Sequence, residues 1–307
     1  MPAGSVRSSF MRKLVPLPST EIPEGYLLEL GDRGSTYVTD TPGPRDAPTL
    51  VLLHAVGCTG LLTWFPAIPE LSRYYRVVTM DQRWHGQGIQ SAEFSLYDCA
   101  DDVAALIETL DLENVVLVGY SMGSIVAQRT WRQHPELVSG LVLCATTDRF
   151  RSSPSEMVFH QGMAVAMTAL RGLSRSRTAR TAARSAARAL DIDNPDDLHD
   201  WALAQFRSTS PWAVGQAVAA LGRHHSTPWL AKVSVPTAVL VTAKDRVISP
   251  DRQRALARLI PGATTHEVDC GHASCVLEAD DFLPGLLDAC ASTAARLRGR
   301  RRRRLQQ

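Results

Sequence analysis

The sequence lacks three features that would point to a membrane, secreted or metal-binding protein. None of its 307 residues falls in a run approaching the ~18 consecutive apolar residues that a membrane span needs. The apolar segment at residues 14–18 is broken by proline and is too short for the core of a signal peptide. No two cysteines have the C-x-x-C spacing of a zinc or redox motif. These absences favour a folded cytoplasmic protein.

A strong charge imbalance is also absent. The formal net charge of +2 gives the whole molecule no field that would attract a nucleic acid or an acidic substrate. Hydrophobic residues make up 45% of the chain and charged residues 21%, which is typical of globular domains. A chain of this length can bury a full core, so we expect one large domain with an insertion.

The six cysteines lie mostly within apolar segments, which is typical of reduced core thiols rather than of disulfides. They are Cys58, Cys99, Cys144, Cys270, Cys275 and Cys290. Reduced thiols again favour the cytoplasm. Residues 1–20 are expected either to form a disordered leader or to precede a true start at Met11.

Apolar runs alternate with amphipathic stretches along most of the chain. This pattern predicts an α/β fold, with a mostly parallel eight-stranded sheet and helices on both faces. The predicted strands are residues 26–30, 36–39, 49–53, 76–80, 114–118, 140–144, 237–241 and 264–268. Apolar residues from Cys99 to Leu110 fall on one helical face, which predicts a helix that packs on this sheet.

The alternation stops between Thr146 and Pro236, where about ninety residues have helical character. The predicted core is therefore residues 21–146 and 237–295, interrupted by a helical insertion at 147–236. The predicted helices of the insertion are residues 155–170, 175–190, 195–207 and 211–222. The last segment, residues 296–307, is predicted to be a basic disordered tail.

The pentapeptide Gly119-Tyr120-Ser121-Met122-Gly123 follows a predicted strand and opens a helical stretch. A G-x-S-x-G sequence in this context is typical of a nucleophile elbow, in which glycines let the chain turn sharply around the serine. Ser121 is therefore the candidate nucleophile.

A base and an acid for this serine follow later in the chain. His272 follows the last predicted strand, and Asp245 follows the strand before it. The order serine, aspartate, histidine is that of α/β-hydrolases and differs from the orders in chymotrypsin-like and subtilisin-like proteases. The rival acids are Asp148, just after the sixth strand, and Asp269, which is too near His272 in sequence to reach around it easily.

With these motifs the chain resembles a serine hydrolase of the α/β-hydrolase superfamily, in the group of lidded bacterial esterases and lipases. The resemblance covers residues 26–295. Residues 52–57 (LLHAVG) resemble the family's His-Gly oxyanion loop, and residues 81–88 (DQRWHGQG) its Asp-x-Arg-Gly-His-Gly-x-Ser turn. Two positions depart from the pattern. Ala55 replaces a glycine, so its φ must avoid positive values, and Trp84 replaces another, which we expect to place a large ring near the pocket mouth.

The resemblance implies a role for each site residue. His272 would take the proton of Ser121 as the serine attacks an acyl carbonyl, and Asp245 would orient the imidazole. The backbone N–H groups of Val56 and Met122 would form the oxyanion hole. The residues predicted to line the substrate pocket are His54, Trp64, Trp84 and Tyr120. For His54 and His85 we also expect hydrogen bonds that hold loops, rather than a role as base.

In this superfamily such a helical insertion forms a lid, so the resemblance implies that residues 147–236 roof the active site. The large apolar residues of the insertion fit either an apolar substrate or a small core of the lid itself. These residues are Met163, Met167, Trp201, Phe206 and Trp212.

The resemblance implies that the enzyme hydrolyses the carboxylic ester of an apolar or lipid-like acyl substrate through an acyl-enzyme. The alternatives are a thioesterase, a carbon-carbon bond hydrolase, or a non-catalytic receptor for a small molecule on the same fold. The histidines His224 and His225 have no partner at ligand spacing, and we expect neither a metal nor a cofactor.

Two arginine-rich segments stand apart from the candidate site. Five arginines lie between Arg175 and Arg188, and seven lie between Arg296 and Arg304. Such segments are typical of a solvated helix face and a disordered tail. The alternative interpretation is peripheral contact with anionic lipid, or attraction of a phosphate-bearing acyl carrier such as coenzyme A. No folded nucleic-acid-binding motif accompanies the tail.

Overall fold

The structure, a computed structural model, describes residues 22–150 and 198–305. Eight strands form one sheet. They are β1 (Tyr26–Glu29), β2 (Ser35–Thr41), β3 (Thr49–Leu53), β4 (Arg76–Met80), β5 (Val115–Tyr120), β6 (Gly140–Cys144), β7 (Thr237–Thr242) and β8 (Thr264–Val268). Their order is β1-β2-β4-β3-β5-β6-β7-β8, and only the β1–β2 and β2–β4 pairs are antiparallel. The predicted eight-stranded, mostly parallel sheet is confirmed.

The helices are numbered among the described residues. They are α1 (Gly60–Trp64), α2 (Ile68–Ser72), α3 (Leu96–Thr109), α4 (Met122–Gln133), α5 (Leu198–Ser208), α6 (Pro211–Leu221), α7 (Thr227–Leu230), α8 (Pro250–Leu259), α9 (Ser274–Leu277) and α10 (Ala279–Leu305). A short 3-10 turn, Gly31–Arg33, joins β1 to β2.

The central strands are buried on both faces because helices cover both sides of the sheet. Every residue of β3, β5, β6 and β7 is buried, as expected for the continuous apolar runs of a parallel sheet. Alternate residues of each strand face opposite sides, so Val51 and Leu53 join one core cluster while Leu50 and Leu52 join the other. The first cluster includes residues of α3, α4, α6 and α8, and the second includes residues of α1, α2 and α10.

Helices α5, α6 and α7 lie between β6 and β7 in the chain. The start of α6 follows from local sequence, because Ser210 accepts a hydrogen bond from the Ala213 amide (3.1 Å) and Pro211 occupies the first helical position. The two helices predicted at residues 195–207 and 211–222 correspond to α5 and α6. The helices predicted at 155–170 and 175–190, with Met163, Met167 and Arg175–Arg188, lie outside the described residues, as does the leader at 1–20.

The prediction of a disordered tail from residue 296 is wrong, since α10 continues to Leu305. Arginine is a good helix former, and a helix that is already docked extends by one hydrogen bond per residue without a new nucleation cost. Arg296 is itself docked, because its guanidinium donates to the carbonyl oxygens of Thr237 (3.0 Å) and Gly262 (2.6 Å). Cationic residues also favour a helix carboxyl end through the dipole.

The strand order reverses between β3 and β5. The chain leaves β3 toward β4 on one side and returns to place β5 on the other side of β3. In open α/β sheets a crevice opens at such a point, outside the carboxyl ends of the strands. Val56 follows β3 and Ser121 follows β5, so two predicted site residues lie at this crevice.

Candidate active site

Ser121 occupies a sharp turn between β5 and α4, with φ 52° and ψ −112°. A positive φ is unusual for any residue with a β-carbon and is typical of functional turns that the surrounding structure holds in place. The amide of Ser121 donates to the Cys144 carbonyl (3.0 Å), and the hydroxyl of Thr146 donates to the Ser121 carbonyl (3.3 Å). Hydrogen bonds to the end of β6 and to the loop after it therefore hold Ser121 in this conformation.

The two glycines of the pentapeptide are required by close backbone contacts. A β-carbon on Gly119 would lie 2.3 Å from the amide nitrogen of Ser124. One on Gly123 would lie 2.0 Å from the carbonyl oxygen of Leu53 on β3. Helix α4 thus starts directly against the neighbouring strands.

The structure brings the predicted nucleophile, base and acid together. The Nε2 of His272 lies 3.1 Å from the Oγ of Ser121, and its Nδ1 lies 2.7 Å from Oδ2 of Asp245. Ser121 is 5% exposed, and the side chain of His272 is 22% exposed. His272 thus lies between the serine hydroxyl and the carboxylate, where its imidazole can take the serine proton.

Neither rival acid contacts His272. The side chain of Asp269 is 78% exposed and forms a salt bridge with Lys244 (2.8 Å). Asp148 is buried and accepts a hydrogen bond from the hydroxyl of Thr227. Asp245 is the carboxylate that reaches the imidazole.

Asp245 accepts four hydrogen bonds besides the one from His272. Its Oδ1 accepts from the amides of Val247 (2.8 Å) and Ile248 (2.9 Å), and its Oδ2 accepts from the side chains of Thr242 (2.9 Å) and Gln253 (3.1 Å). Burial opposes ionisation, but the bonds from His272 and these donors outweigh it, so the pKa of Asp245 is lowered. An ionised Asp245 accepts Nδ1–H from His272, which leaves Nε2 free to accept the serine proton.

The two predicted oxyanion amides follow neighbouring strands of the sheet, Val56 after β3 and Met122 after β5. Met122 is the first residue of α4, so its amide has no carbonyl one turn earlier in the helix. Val56 lies in the loop after β3. In this loop Gly57 has a positive φ of 77°, whereas the φ of Ala55 is not positive, as expected for an alanine in place of a glycine. Val214 of α6 covers this loop, since its Cγ2 lies 3.4 Å from the place of a β-carbon on Gly57.

The assignment of His54 to the substrate pocket is wrong. The ring is fully buried; its Nδ1–H donates to the Ala55 carbonyl (2.8 Å), and its Nε2 accepts from the Gln82 amide (2.8 Å). Burial and the neighbouring His85 hold the pKa of His54 well below its usual value, so the ring is neutral. His54 joins the loop after β3 to the loop after β4. His85 is likewise buried and donates to the Arg83 carbonyl (3.0 Å).

Trp84 also lies in the core rather than at a pocket mouth. Its backbone keeps the left-handed conformation (φ 67°), while its ring packs 6.0 Å from Phe94 and its Nε1–H donates to the hydroxyl of Ser91 (3.1 Å). Such a backbone costs of order 1–3 kcal/mol in a residue other than glycine. Burying roughly 150–250 Å² of indole at ~25 cal/mol/Å² contributes about 4–6 kcal/mol, so the inward position is favoured.

Trp64 and Tyr120 belong to the second core cluster instead of a pocket wall. Trp64 is fully buried, and its ring meets the edge of Tyr120 at 6.2 Å. Tyr120 is 1% exposed, and its hydroxyl donates to the backbone carbonyl of His272 (2.8 Å). The sequence could not distinguish these positions, because a core aromatic and a pocket aromatic have the same apolar surroundings in sequence.

Several residues that support the site carried no clear sequence signal. Gln253 is fully buried on α8 and bonds to both Asp245 and Thr242, and a polar residue on the buried face of an amphipathic helix is the signal that could have found it. The hydroxyl of Thr59 donates to Oε1 of Gln205 on α5 (2.8 Å). This bond fastens α5 to the start of α1, the helix that follows the loop after β3.

Arg83, in the segment that resembles the family's second turn, has a structural role. Its guanidinium makes a bidentate ion pair with Asp102 of α3, at 2.8 Å and 2.7 Å. Arg33 reaches the same carboxylate (2.7 Å). Asp102 therefore ties the β4 loop and the β1–β2 turn to α3.

Within residues 22–150 and 198–305, no cluster of histidine, cysteine, aspartate or glutamate has the arrangement of a metal site. None of the helices described there is both long and apolar enough to cross a bilayer. The six cysteines are free, and all but Cys58 are buried.

Comparison with known proteins agrees with this geometry. The family profile described as alpha/beta hydrolase fold matches residues 48–279. The 3-oxoadipate enol-lactonase 1 of Acinetobacter baylyi is 25% identical over 258 residues, which cover 82% of this chain and 91% of the relative. The magnesium-chelatase 30 kDa subunit of Rhodobacter capsulatus is 29% identical over 272 residues, covering 82% and 89%.

Solved structures show the same fold. The esterase EaEST from Exiguobacterium antarcticum superposes with a TM-score of 0.68 at 20% identity, covering 87% of this chain and all of the esterase. At that identity the likeness shows the fold alone. The profile match spans the sheet from β3 to β8 and includes Ser121, Asp245 and His272. The chain is therefore a hydrolase of the alpha/beta hydrolase superfamily.

Proposed function

We propose that the chain is a serine hydrolase that cleaves the carboxylic ester of an apolar or lipid-like substrate through an acyl-enzyme. The observation that carries the proposal is the continuous hydrogen-bonded chain from Ser121 through His272 to Asp245, with 3.1 Å and 2.7 Å contacts. A hydroxyl alone is a weak nucleophile at neutral pH, and this chain supplies the base that activates it.

In the proposed first step, Ser121 Oγ attacks the acyl carbonyl carbon while its proton passes to Nε2 of His272. Asp245 stabilises the resulting imidazolium without taking its proton. The amides of Val56 and Met122 donate to the oxyanion, and donors of this kind are each worth roughly 3 kcal/mol of barrier. Both are main-chain groups, so alanine at either position should be mild.

The protonated His272 then gives its proton to the departing alcohol, which completes the acyl-enzyme. A water molecule takes the place of the alcohol, loses a proton to Nε2 and attacks the acyl carbon. Collapse of the second tetrahedral intermediate releases the acid and returns the proton to Ser121. The same groups therefore serve both half-reactions.

The apolar character of the substrate is inferred from the residues around the crevice. Val214 packs over Gly57, the residue that follows Val56, and Phe206 of α5 is 58% exposed. Trp201 and Trp212, in contrast, pack inward, with Trp201 at 5.2 Å from Phe65. We propose that the helices between β6 and β7 are a lid over this site, as Val214 and the Thr59–Gln205 bond indicate.

The choice of an ester follows from the acyl chemistry and from one relative. The name of the 3-oxoadipate enol-lactonase gives that protein a lactone substrate, which is a cyclic ester. A serine triad with two oxyanion amides handles such a bond without a metal or cofactor. Thioesters and carbon-carbon bonds remain the alternatives that the experiment must separate.

Turnover of p-nitrophenyl esters with acyl chains from short to long tests this proposal. The wild type should hydrolyse them, with an optimum that reports the pocket size, and Ser121→Ala should lose at least about 10⁴-fold in kcat. Ser72→Ala is the control, because the Ser72 hydroxyl only donates to Pro69 within α2. Labelling of Ser121 by a fluorophosphonate without ester turnover would favour a thioester or carbon-carbon bond, and binding without turnover or labelling would favour a receptor.

A further inference from the structure

The loop that carries His272 must reach back over the sheet to meet the nucleophile. It follows β8, and β6 and β7 separate β8 from β5, where Ser121 lies. The bond to Asp245 holds the loop to the strand next to β8. The Gly271 amide donates to Glu278 (2.9 Å), which holds the loop to the segment that follows it. Neither bond fixes the distance to β5.

Tyr120 makes the connection to β5. It is the last residue of that strand and the neighbour of Ser121, and its hydroxyl donates to the backbone carbonyl of His272 at 2.8 Å. The hydroxyl oxygen also lies 3.1 Å from Oγ of Ser274, which can donate to it. One buried phenol thus links the nucleophile strand to the residue that carries the base.

The ring of Tyr120 is itself held firmly. It packs edge-on against Phe282 (5.5 Å), Trp64 (6.2 Å) and the imidazole of His272 (6.0 Å), and only 1% of the residue is exposed. Burial raises the pKa of the phenol well above its usual value, so the hydroxyl stays protonated and remains a donor.

We propose that Tyr120 is a positioning residue that sets the distance between the Ser121 hydroxyl and the His272 imidazole. The inference rests on the proposed function, because it assigns Tyr120 a part in activating that nucleophile. As a positioning residue, Tyr120 touches no substrate atom. It acts through the backbone of His272.

Tyr120→Phe removes the hydroxyl and keeps the ring contacts. A misplacement of about 1 Å in a catalytic group can cost ~100-fold in rate, so we expect kcat to fall by about 10- to 100-fold. KM should not change, since the acyl pocket is untouched. The proton resonance of His272 Nδ1–H, in its short bond to Asp245, should broaden or disappear.

The rate of Ser121 labelling by a fluorophosphonate separates this inference from the proposed function. The labelling reaction requires an activated serine, and it can be measured without knowing the natural substrate. We expect the wild type to label and Tyr120→Phe to label about 10- to 100-fold more slowly. Equal labelling rates and unchanged kcat would overturn the positioning role while the proposed function stands. A wild type that takes no label would overturn both.

Two further variants keep the comparison specific. Tyr75→Phe removes another buried tyrosine hydroxyl from the same core cluster, away from the site, and should label at the wild-type rate. Ser274→Ala leaves the Tyr120–His272 bond in place, so it should slow labelling less than Tyr120→Phe. If Ser274→Ala had the larger effect, the restraint would lie at Ser274 and the proposal would be wrong.

Discussion

At the scale of single residues, Asp245 shows how the site is held before any substrate arrives. Backbone amides of Val247 and Ile248 fix one carboxylate oxygen, and Thr242, Gln253 and His272 share the other. The acid therefore cannot rotate away from the imidazole. Its role in the proposed mechanism is to select the tautomer of His272 that carries its proton on Nδ1. A neutral amide in place of the carboxylate would favour the other tautomer.

Asp245→Asn should lower kcat by about 10⁴-fold with little change in fold. The asparagine oxygen can still accept from the Val247 and Ile248 amides, while its NH₂ would face His272 and force Nδ1 to accept. The measurement is kcat on the best p-nitrophenyl ester, with circular dichroism as the check on folding. Asp269→Asn is the control, because Asp269 is exposed and pairs with Lys244. Activity retained in Asp245→Asn would remove Asp245 from the mechanism.

The buried carboxyl group of Asp81 is expected to make the stability of the folded protein depend on pH. It is 3% exposed, and burial raises its pKa from 3.8 to about 6, although it accepts hydrogen bonds from the amides of Gln87 (2.9 Å) and Gly60 (2.8 Å). Between those pH values the unfolded chain releases this proton while the folded protein keeps it. The folded state binds more protons, so its stability falls as pH rises through the window.

The expected loss is about 3 kcal/mol, from about two pH units at ~1.4 kcal/mol each. Asp81→Asn should remove it, because the amide does not titrate. Urea unfolding of both proteins at intervals from pH 4 to pH 7 gives the unfolding free energy of each. Subtracting the value for Asp81→Asn from that of the wild type at each pH removes the contributions of other titrating groups. Parallel pH profiles for the two proteins would show that Asp81 ionises in the folded state as it does in the unfolded chain.

At the scale of elements, the close contact of α4 with β3 positions the nucleophile. Gly123→Ala would place a methyl group 2.0 Å from the Leu53 carbonyl oxygen, so the helix must move away from the strand. We expect a loss of about 3 kcal/mol or more in unfolding free energy and a loss of activity. Thermal and urea unfolding measure the first, and ester turnover the second.

Gly299→Ala is the matched control for that substitution. Gly299 lies inside α10 with open space around its place for a β-carbon, so alanine should raise helix stability by up to about 1 kcal/mol. If Gly123→Ala were as well tolerated as Gly299→Ala, the elbow would not need the tight contact that the structure shows.

The centre of the sheet was predictable because strands β3, β5, β6 and β7 are apolar runs bounded by polar turns. Strands β3, β4, β6 and β8 have the predicted bounds, while β5 extends to Tyr120 because Gly119 and Tyr120 still pair with β6. The carboxyl end of α10 was not predictable from composition, since an arginine run fits a tail or a helix equally well. Docking of Arg296 on the body decides between them.

The order of the catalytic residues along the chain was predictable from the sequence. The contacts of the residues that surround them were not. Glycine spacing and the order of Ser121, Asp245 and His272 are local signals. The inward position of Trp84 depends on Phe94 and Ser91, and the bonds of His54 depend on a loop 28 residues away. Contacts of this kind exist only after the sheet has brought distant loops together.

At the scale of the whole molecule, the helices after β6 are fastened to the carboxyl edge of the sheet. The Thr59–Gln205 bond is joined by one from the Gly86 amide to the hydroxyl of Thr209 (3.1 Å), which lies between α5 and α6. These bonds connect the segment to the loops after β3 and β4. We propose that substrate reaches Ser121 past this segment.

The basic end of α10 gives a prediction for the whole molecule. We predict that the protein binds phosphatidylserine vesicles through Arg300–Arg304, since each arginine near an anionic surface is worth ~1 kcal/mol. Replacing these five arginines with glutamine should weaken binding at least ~100-fold, measured by co-sedimentation. Phosphatidylcholine vesicles and high salt are the controls, because both remove the electrostatic attraction. Equal binding by the two proteins would limit α10 to a structural role.

In the proposed mechanism, His272 and Asp245 make Ser121 a nucleophile. The most direct measurement is to treat the wild type, Ser121→Ala and His272→Ala with a fluorophosphonate and to map the labelled peptide by mass spectrometry. We predict one label, on Ser121, in the wild type, with no label in Ser121→Ala and a greatly slowed reaction in His272→Ala. A label on another residue, or none in the wild type, would show that His272 and Asp245 do not activate Ser121.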